Sequence, residues 1–342
     1  MDKLSIVILN WNGAKMLRQY LPGVLEHSDG HPIVVADNGS SDDSLRLLRE
    51  EFPQVRTILF QQNYGFAQGY NEALRQVEAE YYLLLNNDVR TTEGWLTPLL
   101  DYMESHPHCA ACQPKLRCDW ATDRLEYAGA CGGFIDRLGY PYCRGRIFST
   151  VEKDEGQYDT PLSVAWASGA ALLVRSSVYW EVGGLDNRFF AHQEEIDLCW
   201  RMRSRGWEIV CLPQSVIFHL GGGTLPQDSP RKTYLNFRNN LFLLYKNLPQ
   251  KDLLKVFLLR FPLDVIASLT FLLKGHWGSF CAVWKGWLHF LRDKRSESSA
   301  REENLRKASP SAEPILSPCS ILTEYYIKGR KTFSAIHTPH SK

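Results

Sequence analysis

Ser5-Ile6-Val7-Ile8-Leu9-Asn10-Trp11-Asn12-Gly13 is an apolar run that stops abruptly on polar residues and a glycine. A short apolar run bounded in this way reads as a buried strand over residues 5–9, with a loop at its carboxyl end. The same grammar recurs outward from it. Residues 14–27 read as a helix, 33–36 as a strand, 41–51 as a helix, 55–60 as a strand, 66–77 as a helix and 81–85 as an apolar strand. Strands alternating with helices predict an α/β fold with a mostly parallel central sheet. Ligands of such sheets gather beyond the carboxyl ends of the strands. Here those ends carry Asn10 and Asn12, Asp37 and Asn38, and Asn86 and Asp88.

The 342 residues leave room for one large domain or two. A hydrophobic share of 44% excludes a disordered chain, and a net charge of +1 gives no bias toward nucleic acid. That near-neutral total conceals a split. Residues 1–230 hold 20 Lys and Arg against 30 Asp and Glu, whereas residues 231–295 hold 12 against 3. We therefore expect a catalytic domain over 1–230, a basic amphipathic helical segment over 231–295, and a polar linker with a short tail over 296–342. The apolar run 256–273 is interrupted by Arg260, Pro262 and Asp264, which suits helices lying at a membrane interface better than a span. The nine cysteines show no framework spacing, and the Cys109/Cys112 pair reads as buried thiols. The run at residues 6–9 is far shorter than a signal segment, so the expected location is cytoplasmic, peripheral on the inner face of the plasma membrane.

Residues 107–161 have no clear period. Beyond them, 169–174 reads as a strand, 176–182 and 195–205 as helices, and 209–212 and 215–218 as strands. Four constellations carry chemistry. Asp37 stands at a strand end before a Gly/Ser turn, where its carboxylate offers acceptors to a base or ribose. Asn86 and Asp88 alternate at another strand end, where both could face a hard cation bridging a diphosphate. Glu194, Glu195 and Asp197 crowd a helix start with more carboxylates than capping needs. Asp197 and Arg201 fall at the spacing of an intrahelical pair, which gives them a structural role. His219 precedes the glycine run 221–223 and is a plausible further metal ligand.

In this order the blocks at 5–13, 34–44, 63–71, 83–89, 169–170, 183–201, 206–207 and 219–224 resemble glycosyltransferase family 2, of GT-A fold, and within it the rhamnosyltransferase-like bacterial branch. The resemblance implies inverting transfer of a sugar from a nucleotide-diphosphate-sugar donor to an acceptor hydroxyl, on a glycan or lipid-linked saccharide. It implies donor contacts from Asn10, Asn12, Asp37, Asn38, Asn71, Asn86 and Asn87, and a divalent metal ion (Mg2+ or Mn2+) at Asp88 and His219. Asn86 and Asp88 fall on the family's DxD motif, with Asn in its first position. The family's Glu-Asp motif is Glu194-Glu195 here, so either carboxylate is a candidate general base. The basic segment implies peripheral contact with an anionic membrane surface. A nucleotide-sugar-binding protein without turnover is the alternative. A nucleotidyltransferase is disfavoured because residues 10–13 contain one glycine and Lys15 is the only base nearby.

Overall fold

The computed structural model describes residues 1–221 and 229–337; of the glycine run, Gly222 and Gly223 lie outside the described residues, as does Thr224. Strands β1 (Asp2–Asn10), β2 (Ile33–Asp37), β3 (Arg56–Leu59) and β4 (Ala79–Asn86) alternate with helices α1 (Ala14–Glu26), α2 (Ser44–Glu51) and α3 (Gly65–Leu74). β1 is apolar on both faces because it is covered twice. Ile6 and Ile8 pack into one half of the core and Val7 into the other, as an interior parallel strand requires. After β4 come the two-residue β5 (Val89–Arg90), helix α4 (Thr97–Ser105) and the long strand β6 (Cys109–Cys118).

A separate four-stranded antiparallel sheet follows, formed by β7 (Gly133–Ile135), β8 (Pro141–Cys143), β9 (Arg146–Ile147) and β10 (Thr150–Val151). The chain then returns to the main sheet through β11 (Leu162–Ser163) and β12 (Ala171–Arg175), passes α5 (Ser176–Glu181) and α6 (Glu194–Ser204), and completes the sheet with β13 (Glu208–His219). The order is β11-β13-β6-β12-β4-β1-β2-β3, with β5 on β13. β12 is antiparallel to both β4 and β6, and β13 is parallel to β6. Six strands therefore run one way and β5, β11 and β12 the other, so the sheet is mixed but mostly parallel, as expected. β1 leads to β2 on one side and has β4 on the other, which opens a crevice between the carboxyl ends of β1 and β4.

Two expectations are corrected by the fold. The stretch expected to be irregular contains β6, buried between two strands; its Cys, Ala and Pro residues carry little strand propensity, and its place is set by partners on both sides. The two strands expected at 209–212 and 215–218 are one strand, with a register irregularity between Leu212 and Val216. The thiols are as expected: seven of the nine are buried and none is bridged.

Beyond β13 lie α7 (Pro230–Asn247), α8 (Gln250–Leu273), α9 (Trp277–Asp293), α10 (Ser298–Lys307) and α11 (Phe333–His337). Position 230 is not a boundary between separate bodies. Leu241, Phe242, Leu243 and Leu244 of α7 belong to the main core, and Lys246 joins Asp186 and Asp197 in a buried ion cluster. Asp197 pairs with Arg201 at 2.9 Å, the structural role expected of it. The stretch expected to be a linker is helical in α10, where Asn304 donates to Asn247 at 3.0 Å.

α8 turns a buried charged pair inward and an apolar face outward. Arg260 and Asp264, the residues that interrupt its apolar run, are buried together; Arg260 also donates to Asn240 at 2.6 Å, and Asp264 accepts from Trp287 at 3.1 Å. Leu254, Leu258, Phe261, Ile266, Leu269 and Leu273 face outward and are exposed. Its buried residues Leu253, Val256, Arg260, Asp264 and Ser268 form a stripe spanning four turns, so the helix lies along the body of the protein.

Candidate active site

The β1–β4 crevice is lined by a connected set of polar side chains. Asn10 donates to Asp37 at 3.1 Å and accepts from Asn87 at 2.9 Å, and Asp37 accepts the main-chain N–H of Ser40 at 2.9 Å. These bonds hold the carboxyl ends of β1 and β2 and the turn after β4 at one edge. Asn12, at φ 50°, receives the Ser41 N–H on its Oδ1 at 2.7 Å and binds the two turns together at the surface. Gly13 has no room for a side chain, since a Cβ there would stand 2.2 Å from Asn10 Oδ1 and 2.3 Å from Asn87 Nδ2.

Two residues expected to touch the donor are engaged elsewhere. Asn38 donates to the Gly65 carbonyl at 2.9 Å and accepts from Tyr64 N–H at 2.9 Å, which fixes the turn before α3. Asn71 bonds the Leu185 carbonyl and N–H, Asn187 and the Tyr179 hydroxyl, and so buckles α3 to the 184–187 loop. All four hydrogen-bonding positions of Asn71 are taken by protein partners, which gives it a structural role, whereas Asn38, like Asn10, uses both donors and one acceptor position within the protein.

Asp88 and His219 meet although 131 residues separate them, because β5 pairs with the end of β13 and sets His219 opposite Val89. His219 Nε2 stands 3.1 Å from Asp88 Oδ1 and 3.3 Å from Asn86 Nδ2. On its other side, Nδ1 is 3.3 Å from Glu126 Oε1 but makes no aligned hydrogen bond. Burial disfavours the imidazolium, yet the Asp88 and Glu126 carboxylates outweigh it and push His219 up to about 10. Burial likewise opposes the Asp88 charge, and His219 holds it below its ordinary value.

These residues fit a hard divalent cation. Octahedral ligands at about 2.1 Å lie about 3 Å apart, close to the Asp88–His219 spacing, and the Glu126 carboxylate behind the imidazole is a usual support for a ligating histidine. Ligation needs the neutral ring, so a cation and the proton on His219 Nε2 exclude one another, while Nδ1 keeps its proton toward Glu126. Among the described residues no three His, Cys, Asp or Glu side chains form a ready-made metal cage. Two protein ligands are nevertheless the usual complement when substrate phosphates supply others.

Glu194 and Glu195 open α6 after a strained approach, in which Phe190, His192 and Gln193 all have positive φ, at 62°, 71° and 71°. α7 holds this loop. Asn239 Nδ2 lies within hydrogen-bond distance of the carbonyls of Phe189, Ala191 and His192, and Gln193 is bonded at both ends of its amide, to the Asn236 carbonyl and by Asn240. One carboxylate oxygen of each glutamate is buried with no hydrogen-bond partner among the described residues. Burial pushes Glu195 up to about 7 against the pull of main-chain N–H groups; burial and then the Glu195 charge raise Glu194 further. Gly169 keeps the adjacent space open, where a Cβ would stand 3.3 Å from Phe66 and 3.7 Å from Glu195 Cβ.

Three further residues belong to this neighbourhood and were not expected: Glu126, Asn239 and Lys232. Lys232, in the first turn of α7, is lowered by burial, with only Glu126 pulling the other way, and its charge helps burial push His192 down to about 4. The charge split after residue 230 was the only sequence signal for Lys232.

The model of glycosyl transferase family 2 matches residues 5–183. Over 237 residues the chain is 27% identical to the N-acetylglucosaminyl-diphospho-decaprenol L-rhamnosyltransferase of Mycobacterium tuberculosis, covering 64% of this chain and 76% of that protein. It is 25% identical to the rhamnosyltransferase WbbL of Escherichia coli K12, covering 63% of this chain and 82% of that protein. Among solved structures it resembles GalNAc-T7 with UDP, GalNAc and Mn2+ (TM-score 0.56, 14% identity), covering 73% of this chain and 49%, about half, of that one. It also resembles Staphylococcus aureus TarS 1-349 with UDP (TM-score 0.50, 14% identity), covering 74% and 69% of the two chains.

Proposed function

The chain belongs to glycosyl transferase family 2 and is an inverting glycosyltransferase of GT-A fold, and from that premise we propose that it moves a hexose or deoxyhexose from a nucleotide-diphosphate donor to a hydroxyl of a lipid-linked glycan in cell-surface polysaccharide synthesis. The donor's nucleotide lies in the β1–β4 crevice, against Asn10, Asn12, Asp37, Asn86 and Asn87. Asp88 and His219 would hold a divalent cation, which would supply Lewis-acid stabilisation of the departing diphosphate. Glu126 orients His219 through its Nδ1 side.

Glu195 takes the proton of the acceptor hydroxyl as that oxygen bonds to the anomeric carbon from the face opposite the breaking carbon–phosphate-oxygen bond. The nucleoside diphosphate leaves with the bonding electrons, and inversion follows. A carboxylate placed in this way contributes typically about 10²–10⁴-fold. Glu194 lies beside it as the other candidate carboxylate. The observation that carries the reading is the convergence of a paired Asp88–His219 with an unpartnered, raised Glu195 beside the sheet edge where donors of such folds bind.

The lipid-linked acceptor is supported by the diphospho-decaprenol named for the mycobacterial relative. Peripheral contact with an anionic membrane is supported by α8. This helix, Gln250–Leu273, is long and apolar enough to cross a membrane, but its continuous inward stripe favours lying on the inner face of the plasma membrane over crossing it. The test is nucleotide release from a panel of nucleotide sugars with Mn2+, using wild type and Glu195→Gln. We expect transfer by wild type and none by the variant, with donor affinity kept. Retained turnover in the variant moves the base to Glu194, and tight binding without turnover by wild type overturns the enzymatic reading.

A further inference from the structure

α9 presents Gly278, Ala282 and Gly286 toward α7 at four-residue spacing. A Cβ at Gly278 would stand 2.7 Å from Pro230 Cγ, and one at Gly286 would stand 3.2 Å from the Arg238 main-chain nitrogen. Beside this seam lies a cleft of about 580 Å³, walled by Arg231, Tyr234, Arg238 and Lys285 and bounded by Phe190. Arg231 and Lys285 are exposed to solvent within it.

Three cations converge here, and among the described residues none is paired with a carboxylate. Arg231 stands over the Phe190 ring at 5.3 Å and Lys285 over Tyr234 at 5.4 Å. Arg238 donates to the main-chain carbonyls of Arg188 and Phe189, contacts that orient it without neutralising it. His289 bonds the Tyr234 hydroxyl at 2.7 Å. Burial, then the Arg292 and Lys285 charges, hold this ring below its ordinary value, although Asp293 pulls upward. A solvated basic helix face would normally intersperse acidic residues. A concave one with aromatic walls and only positive charge takes a polyanion, and arginine is suited to phosphate oxygens.

Position identifies which polyanion. The donor's diphosphate belongs at Asp88 and His219. Phe190 lies on the clamped loop leading into Glu194 and Glu195 and accepts the Phe66 N–H at 2.6 Å, with Phe66 in turn beside Gly169 and Glu195, so a ligand in the cleft approaches from the side of the general base. The outer surface continues into exposed apolar residues of the same helical layer, with Trp277 and Leu288 on α9 and Leu269 and Leu273 on α8. We propose that the α7–α9 cleft binds the phosphates that join the acceptor's sugar to its lipid. This rests on the lipid-linked acceptor reading above and assigns that acceptor its place: sugar toward Glu195, phosphates on Arg231, Arg238 and Lys285, and lipid along the apolar face.

The test uses the full chain and farnesyl diphosphate as probe, titrated calorimetrically in metal-free buffer, with wild type, Arg231→Ala/Lys285→Ala and Asp88→Asn. We expect the double variant to bind at least tenfold more weakly, Asp88→Asn to bind as wild type, and farnesol not to compete. Loss of binding in Asp88→Asn alone would put the probe in the donor site and overturn the proposal. In a second arm, sedimentation with vesicles containing phosphatidylglycerol should be kept by the double variant. Loss of sedimentation with an unchanged farnesyl diphosphate affinity would assign the cations to bulk headgroups and overturn the proposal. Equal transfer to a phosphate-free sugar acceptor would remove both the cleft and the acceptor reading, whereas a strict need for a lipid-linked acceptor, met unchanged by the double variant, would remove the cleft alone.

Discussion

Asn239→Ala removes the clamp on the loop that delivers the general base. The side chain is 1% exposed, and its Nδ2 stands 3.0, 2.9 and 2.8 Å from the carbonyls of Phe189, Ala191 and His192. With about 1 kcal/mol net for each bond, and two amide hydrogens to share, the clamp contributes about 2–3 kcal/mol. It acts against strain, since each non-glycine residue held at positive φ costs about 1–3 kcal/mol. The clamp is therefore comparable with the strain of one such residue, and its loss lets the loop relax. A bias of about 2 kcal/mol toward the reactive arrangement corresponds to roughly 30-fold in rate. Steady-state kinetics should show kcat lowered about 10–100-fold with donor KM unchanged, because Asp88, His219 and Asn10 are untouched. The acid limb of the pH profile should also move below about 7, since the enclosure that raises Glu195 is loosened. A Tm lowered by several degrees with kcat within twofold of wild type would refute the argument, leaving Asn239 as a support of the fold alone.

Glu195 must be ionised to act, so kcat/KM should fall as pH drops through about 7; a flat profile between pH 6 and 8 counts against it. Its folded value lies above the ordinary 4.5, so the folded state holds the proton more tightly. That contribution to stability is fully present below about 4.5 and is lost as pH rises through about 7. Glu195→Gln should therefore gain Tm over wild type between pH 5 and pH 8, and a difference independent of pH would sink the assignment. Glu126→Gln should raise the Mn2+ concentration for half-maximal donor turnover about 10–100-fold, with activity recovered at saturating metal; an unaltered Mn2+ titration would remove Glu126 from the site. Gly13→Ala forces apart Asn10 and Asn87, with a stability loss of about 1–3 kcal/mol and a raised donor KM, and wild-type Tm and KM together would show that the crevice tolerates a side chain there.

The sheet was legible where both faces of a strand are apolar. β1 and β4 announce themselves by runs such as Ile6-Val7-Ile8-Leu9, and their polar ends announce the crevice. β6 was not legible, because Cys-Ala-Ala-Cys carries no period and its place depends on β12 and β13, distant in sequence. The same limit hid Glu126. Only the pairing of β13 with β5 and β6 brings His219 within reach of it, and nothing local marks a carboxylate in a loop as the support of a histidine 93 positions later. Asn71 shows the opposite limit. An amide on a neighbouring helix looks available from its position, and only the surrounding carbonyls show that its donors are already used. α8 illustrates a third case: the interruption by Arg260 and Asp264 was visible, but which side they face depends on Tyr140, Asn240 and Trp287 waiting beneath.

The dependence of the α6 loop on α7 also has a consequence in time. Asn239 follows His192 by 47 residues, so at about 5–20 residues per second a ribosome makes the glutamates some 2–9 s before it makes the residue that sets their approach. The sheet and crevice can form in that interval, while the reactive arrangement waits for α7, which also packs closely against α9. Biosynthesis therefore completes the active centre last, together with the helical layer that carries the apolar surface. A nascent or truncated chain should bind donor before it can spend it.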